Sequence, residues 1–283
     1  MGESDLISPE SCLLIVIGSK DRLRSSSLEL LASRVEDCLF VDPVRLKPMD
    51  RNEILVNDKL SSILIGRRLS DSELGCAVAH RNAVIAAALA VENRSDIAWI
   101  LFAEDDANLD LEMFSSVQKD LKNQNLDVPS LVTFYSANFP FWISGGSKWS
   151  SKSSLKRSRQ WSSGTVCYAV NRRGINEILK FSNLPIDYVA DWPLYYSRLR
   201  FFVSRRTKVC EVDSTSTIGD RQTIKILARI IMHSRQLLYA NRLAKLHKVS
   251  IWRVFRYLIL RTIWRDILGR YVSVNLVSFL SRS

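Results

Sequence analysis

The chain is poor in the residues that build disulfide frameworks and soft-metal sites. Its 283 residues include only three histidines, and its five cysteines are widely spaced with no Cys-x-x-Cys pair. An odd, scattered set of cysteines argues against a disulfide framework and against a zinc site, and it favours reduced thiols in a cytosolic compartment. With so few histidines, we also do not expect a histidine-based metal site.

Signals that direct a protein into or across a membrane are also missing. No basic residue precedes the short apolar run at residues 13–17, which argues against a secretory signal. Position 6 is Leu, so the myristoylation pattern is not met. No run of about 18 uncharged apolar residues occurs, so no transmembrane helix is predicted. We therefore expect a cytoplasmic protein.

Positive charge is concentrated at one end of the chain. Residues 221–283 contain 13 of the 40 Lys and Arg residues but one of the 29 acids, Asp266. This segment carries +12 of a total net charge of +11, so residues 1–220 are close to neutral at −1. The composition predicts two parts: a body at 1–220 and a basic helical segment at 221–283.

The body opens with a β-α-β pattern. Residues 12–18 form an apolar run that ends in Gly18, residues 27–35 have helical spacing, and residues 38–41 are typical of a second strand. No Gly-x-Gly-x-x-Gly follows the first strand, so the dinucleotide fingerprint is absent. Arg22 and Arg24 lie just after that strand, where they could meet a phosphate or could be solvated loop charges.

A capped helix follows in the sequence. Ser70 and Glu73 match a capping box, with Ser70 as N-cap, and the helix after them is rich in Ala and apolar on more than one face. His80 on this helix is predicted to be a hydrogen-bonded core histidine unless a ligand uses it.

The most informative stretch is residues 97–107. An apolar run, typical of a strand covered on both faces, stops on Glu104, Asp105 and Asp106. Ligands of open α/β sheets bind outside the carboxyl ends of the strands, where carboxylates can hold a divalent cation. A solvated acidic turn is the alternative, and this run alone does not separate the two.

The second half of the body contains a polar window and a second pair of acids. Residues 144–163 are rich in Ser and basic residues, with Trp149 and Trp161, and we expect a mobile loop there. Those tryptophans could stack on a sugar ring or anchor the loop. Further on, Asp187 and Asp191 are four residues apart and would share a face if their segment were helical.

Three blocks together resemble glycosyltransferase family 25, the bacterial lipopolysaccharide and lipooligosaccharide glycosyltransferases. Residues 68–80 are similar to the family's L-T-x-G-E-I-G-C-x-x-S-H helix start, and residues 101–107 to its strand ending in Glu-Asp-Asp. Residues 164–170 with 185–187 resemble its G-T-x-x-Y strand and P-x-D turn. The order and spacing agree over roughly residues 10–220.

The resemblance implies a GT-A-like, Rossmann-type mixed sheet and an inverting transfer from a nucleotide sugar. UDP-galactose is the default donor, and the acceptor is an oligosaccharide or lipid-linked glycan. Mn²⁺ or Mg²⁺ would assist departure of the nucleoside diphosphate, since hard oxygen ligands suit these ions. The implied roles are Asp106 and Glu104 as metal ligands, Asp191 or Asp187 as general base, and donor-binding residues, which are His80, Glu104, Asp105, Arg22 and Arg24.

The basic segment has apolar positions at helical spacing interleaved with arginine and tryptophan. Such a pattern is typical of an amphipathic helix at an anionic membrane surface, which would place the enzyme on the inner face of the cytoplasmic membrane. The alternative is a helical subdomain that packs on the body. A different function is that of a non-catalytic basic protein that binds nucleic acid, a membrane or a partner through this segment. Nucleic-acid binding would leave the acidic turn without a role, so nucleic acid is not expected as a partner.

Overall fold

The computed structural model describes residues 12–44, 54, 56–65, 67–122, 127–135, 155–157, 164–188, 190, 193–204, 208–212 and 226–258. Its strands are β1 (Cys12–Ile17), β2 (Cys38–Val41), β3 (Trp99–Glu104), β4 (Ala107–Asn108), β5 (Ser130–Thr133), β6 (Leu155–Arg157), β7 (Cys167–Asn171), β8 (Arg200–Ser204) and β9 (Cys210–Glu211). Its helices are α1 (Ser26–Ala32), α2 (Asp58–Ile65), α3 (Asp71–Val91), α4 (Leu111–Lys122), α5 (Arg172–Leu179), α6 (Ile226–Leu246) and α7 (Ile251–Leu258). Short 3₁₀ helices span Lys20–Arg22 and Leu194–Arg198.

One mixed sheet organises the described part of the chain. Its seven strands have the order β2-β1-β3-β7-β5-β8-β6, and β4 pairs separately with β9. Strands β1, β2 and β3 are parallel, whereas β7 runs antiparallel to both β3 and β5. The predicted mixed α/β fold with a Rossmann-like opening is thus confirmed.

Both faces of the central strands are covered, which explains their continuous apolar sequence. Successive side chains alternate between faces, so Leu14 and Val16 pack with α1 and α4 while Leu13 and Ile15 pack with α3 and α5. The aromatic pair Phe102 and Tyr168 stacks on the α3 face with ring centroids 4.8 Å apart. The sheet therefore holds α3 directly over the carboxyl end of β3.

Helix α3 begins at the predicted capping box. The Ser70 hydroxyl accepts from the Glu73 amide at 3.2 Å, and the Glu73 carboxylate accepts from the Ser70 amide at 2.9 Å. Within the described residues, α3 is the one helix long and apolar enough to span a membrane by length and composition. Its inner face packs on the sheet through Ala83, Ala87 and Val91, as in the core helix of a globular domain.

The structure corrects part of the predicted loop. Within the window 144–163, Leu155–Arg157 forms β6, which pairs antiparallel with β8, and Leu155 is buried. The prediction of a mobile loop was therefore wrong for these three residues, because pairing with a sheet edge ordered a segment that has no apolar period. Trp149 and Trp161 lie outside the described residues.

The described part of the basic segment packs on the body. Leu243 and Val254, on α6 and α7, are fully buried in a cluster that includes Leu60 of α2 and Leu194. The Gln236 side-chain amide donates to the Leu64 carbonyl at 2.7 Å. This arrangement corresponds to the helical subdomain that the sequence left as an alternative.

Candidate active site

The acidic turn lies where the central parallel strands end. Glu104 is the last residue of β3 and pairs in register with Ile17, the last residue of β1. The next residue, Gly18, approaches the turn so closely that a Cβ there would lie 2.6 Å from the Asp105 Cβ. Glycine is therefore required at position 18 for the turn to keep this place.

Glu104 is held from two sides. The Thr165 hydroxyl donates to Glu104 Oε1 at 2.6 Å, and His80 Nε2 lies 3.2 Å from the same oxygen. The other ring nitrogen of His80 is 3.0 Å from the Tyr168 hydroxyl. Burial acts to raise the pKa of Glu104, but hydrogen bonds from His80 and Thr165 and the nearby positive charges outweigh it, and the pKa is lowered. Glu104 is thus an oriented carboxylate.

Asp105 and Asp106 share one cation, Arg24. The guanidinium lies 2.5 Å from Asp105 Oδ1 and 2.9 Å from Asp106 Oδ2. The backbone amides of Arg24 and Ser25 also donate to the Asp105 carbonyl, at 3.1 and 3.0 Å. The loop after β1 therefore binds the acidic turn through both side chain and backbone. Arg22, by comparison, is exposed on the 3₁₀ helix Lys20–Arg22.

Asp106 is the most perturbed of the three acids. The residue is only 7% exposed, and its buried Oδ1 has no hydrogen-bond partner among the described residues. Burial and the neighbouring carboxylates Glu104, Asp105 and Glu211 raise the pKa of Asp106 to about 6, against the opposing charge of Arg24. A buried carboxylate oxygen without a partner fits a site that a cation completes.

Asp187 lies beyond His80, on a turn that is not helical. Its neighbour Ile186 forms an isolated parallel bridge with Val56. Asp187 and His80 both line a pocket of about 500 Å³, including its open mouth, and His80 also contacts Glu104. One histidine therefore connects the pocket to the acidic turn. Asp191, the other predicted acid, lies outside the described residues.

Asp187 is paired with a histidine of the basic segment. The two residues are 4% and 1% exposed, and His247 Nε2 is 3.0 Å from Asp187 Oδ2. The distance is that of a hydrogen bond, but the orientation of the two groups does not meet its angular requirements. We therefore describe the pair as a close contact between buried ionisable groups. It brings α6 to the edge of the pocket.

Four residues of this region had no assigned role in the sequence analysis. Thr165 and Tyr168 orient Glu104 and His80, and His247 meets Asp187. Cys76 lies one helical turn before His80, and the ligand atoms of Cys76, His80 and Glu104 all lie within 4.8 Å of one another. The i, i+4 spacing of Cys76 and His80 on a capped helix was the available signal for that cluster, whereas nothing local marks His247.

A family model described as glycosyltransferase family 25 (LPS biosynthesis protein) matches residues 15–190. The chain belongs to glycosyltransferase family 25. The matched range contains α3, the acidic turn after β3, the Gly164–Thr165 step and Asp187, and the predicted resemblance is thereby confirmed. A comparison with individual curated proteins finds no match.

Membership of family 25 makes the protein an enzyme that transfers a sugar, in a family of lipopolysaccharide biosynthesis. Such enzymes bring a nucleotide-sugar donor to a glycan acceptor, so the site must hold both. The acidic turn and the Asp187 pocket lie on either side of His80. The basic segment 221–283 lies beyond the matched residues.

Proposed function

We propose that the protein is an inverting, metal-assisted glycosyltransferase of GT-A type that uses a UDP-sugar, with UDP-galactose as the default donor. The acceptor is a lipopolysaccharide, a lipooligosaccharide or another lipid-linked glycan. The observation that carries the proposal is the buried Asp106 Oδ1, which lies at the carboxyl end of β3 in a chain of family 25. This oxygen has no hydrogen-bond partner among the described residues. Ligands of such sheets bind at this end of the strands.

The carboxylates fit a hard divalent cation such as Mn²⁺ or Mg²⁺. Asp106 would supply the first ligand through Oδ1, and Glu104 would supply a second from a carboxylate that Thr165 already orients. When bound, such an ion stabilises the negative charge that develops on a departing diphosphate. Its affinity should rise with pH as the Asp106 carboxylate, with a pKa of about 6, loses its proton.

The remaining residues of the turn bind and orient the donor in this proposal. Arg24 has a side chain that is 33% exposed, so its guanidinium can meet a phosphate while it balances Asp105 and Asp106. Arg22 is a second phosphate candidate on the same loop. Asp105 is assigned to the donor ribose or the metal, and His80 holds the nucleotide side of the site.

Inversion by direct displacement needs one general base for the acceptor hydroxyl. Asp191 is the preferred base. Asp187 is the alternative, although its burial against His247 supports a role in positioning the donor sugar. Measuring kcat and KM for Asp191→Asn and Asp187→Asn separates the roles: the base variant loses kcat, whereas the positioning variant also changes KM. A full kcat in the Asp191 variant would contradict its assignment.

We further propose that the enzyme lies on the inner face of the cytoplasmic membrane through the outer face of α6 and α7. That face exposes Leu238 and Trp252, at 82% and 78%, among five exposed basic residues: Arg235, Arg242, Lys245, Lys248 and Arg253. Cationic faces with exposed apolar side chains bind anionic bilayers. Trp252→Ser should weaken sedimentation with anionic vesicles, whereas Leu89→Ser, at a 68% exposed position on α3, should not. Equal sedimentation of the two variants would contradict the membrane assignment.

The function is tested by a screen of nucleotide sugars. Without acceptor, the enzyme should slowly hydrolyse its own donor in Mn²⁺, stop on chelation with EDTA and resume when Mn²⁺ is returned. Full activity after exhaustive chelation would contradict the metal assignment. Failure to hydrolyse or transfer any nucleotide sugar would instead favour the second candidate, a non-catalytic basic binding protein, which the exposed cationic face of α6 and α7 supports.

A further inference from the structure

A second set of metal-binding side chains adjoins the acidic turn. Cys76 and His80 project from the same face of α3, because they are four residues apart on one helix. Their ligand atoms and a carboxylate oxygen of Glu104 lie within 4.8 Å of one another. The set combines one sulfur, one nitrogen and one oxygen, whereas Asp105 Oδ1 and Asp106 Oδ2 lie against Arg24.

The spacing of these atoms already approaches that of a tetrahedral ion. Zinc binds nitrogen and oxygen at about 2.0–2.1 Å, so two such ligands of a tetrahedral ion lie about 3.3 Å apart. His80 Nε2 and Glu104 Oε1 are 3.2 Å apart. A cation between them needs only a modest approach of the Cys76 thiolate, since all three atoms fall within 4.8 Å.

The groups behind the ligands are those that orient a metal site. The Tyr168 hydroxyl lies 3.0 Å from Nδ1 of His80, which leaves Nε2 directed at Glu104. The Thr165 hydroxyl donates to the same carboxylate oxygen of Glu104 at 2.6 Å and holds it in place. Outer partners of this kind set the tautomer and the direction of the ligands and strengthen metal binding. The capping box at Ser70 fixes the start of the helix that carries both other ligands.

We propose that Cys76, His80 and Glu104 form a binding site for a thiophilic divalent cation, Zn²⁺, and that an ion bound there occupies the Glu104 carboxylate that the donor site needs. A thiolate and an imidazole select zinc over Mn²⁺ and Mg²⁺, which prefer oxygen. Three protein ligands leave a fourth position for water. The second half of the proposal rests on the proposed function: because Glu104 serves both sites, zinc should inhibit the Mn²⁺-dependent reaction.

The site is tested first by binding, without reference to activity. Co²⁺ is titrated into the reduced full-length protein, and the near-ultraviolet band of a thiolate–cobalt bond is followed. One equivalent of Co²⁺ should give the band, and one equivalent of Zn²⁺ should remove it. Cys76→Ser should abolish the band and weaken Zn²⁺ binding at least tenfold. Cys210→Ser, which alters an exposed cysteine on β9 that is not one of the three ligands, should bind like the wild type.

Thermal melting of each variant is the control for folding: a variant that melts cooperatively like the wild type has not lost the band through unfolding. A band that survives in Cys76→Ser, a band lost in Cys210→Ser, or no band in the wild type would each overturn the site.

A second measurement separates the inhibitory role from the proposed function. Zn²⁺ is added to the Mn²⁺-dependent donor hydrolysis, and each protein is compared with its own zinc-free rate. The wild type and Cys210→Ser should lose most of that rate at one equivalent, and Cys76→Ser should keep it. If the protein binds cobalt but Zn²⁺ leaves its turnover unaltered, the proposal that Glu104 serves both sites is wrong. Cobalt binding in a protein without any turnover would contradict the proposed function and leave the site standing.

Discussion

Replacing Asp106 by Asn should stabilise the metal-free protein while removing its activity. The carboxylate is nearly buried, three other carboxylates act on it, and its Oδ1 has no hydrogen-bond partner among the described residues. Its charge is therefore a cost to folding that the site retains for function, a common conflict at functional positions. Asn keeps the shape and removes the charge.

The pKa of Asp106 sets the size and the sign of this effect. Its folded pKa of about 6 lies above the ordinary value of 3.8, so the charged form is penalised in the folded state. The penalty is absent below the unfolded pKa, grows as pH rises, and is complete above the folded pKa. The difference between the folded and the unfolded pKa corresponds to a penalty of about 3 kcal/mol, at about 1.36 kcal/mol per pH unit. About half of this penalty is expected to remain after the site relaxes and water reaches the exposed tenth of the side chain.

Thermal melting in EDTA measures the effect. For a chain of this size, half of about 3 kcal/mol corresponds to about 3 °C in Tm. Asp106→Asn should melt about 3 °C above the wild type near pH 8, and the difference should shrink towards zero near pH 4. Asp127→Asn, which removes a charge from a side chain that is 83% exposed, should show no such pH-dependent gain. If Asp106→Asn is no more stable than the wild type at pH 8, the carboxylate is not the strained buried charge described above.

Two further substitutions test the close approach of Gly18 to the acidic turn and the packing of α6 on the body. Gly18→Ala places a Cβ 2.6 Å from the Asp105 Cβ, so the acidic turn must move; we expect donor hydrolysis to fall at least tenfold, and an unchanged rate would contradict the tight approach. Leu243→Ala removes a fully buried side chain of α6 and should lower the free energy of unfolding by about 2–5 kcal/mol. Leu238→Ala, at an 82% exposed position on the same helix, should change it by less than about 0.5 kcal/mol. Equal denaturation midpoints for the two variants would mean that α6 does not pack on the body.

Local patterns of the sequence predicted the parts of the fold that are set by neighbouring residues. The apolar runs that became β1 and β3 are continuous because both sheet faces are covered. The capping box at Ser70 appears as predicted, because its two hydrogen bonds join residues three apart. Helix α1 spans Ser26–Ala32, within one residue of the start of the stretch 27–35 whose helical spacing indicated it.

Contacts between distant residues were not predictable in this way. Arg24 was considered as a phosphate ligand, and its pairing with Asp105 joins residues 81 positions apart. The contact between Asp187 and His247 depends on how α6 packs on α2, which no local period reports. Strand β6 is ordered by its pairing with β8, because the residues before and after it in the sequence are polar and predict no strand. The sequence of residues 221–283 predicted a basic helical segment. The buried positions Leu243 and Val254 show that this segment also packs on the body.

One comparison tests most directly whether the acidic turn activates the donor. Hydrolysis of the preferred nucleotide sugar in Mn²⁺ is measured for the wild type, Asp106→Ala and Asp127→Ala, with the fold of each protein checked by melting. We expect Asp106→Ala to lose hydrolysis by at least about 100-fold, since about 2.7 kcal/mol or more of transition-state stabilisation depends on this carboxylate. Asp127→Ala should keep the wild-type rate. A folded Asp106→Ala variant that turns over at the wild-type rate would contradict the role of the acidic turn in donor activation.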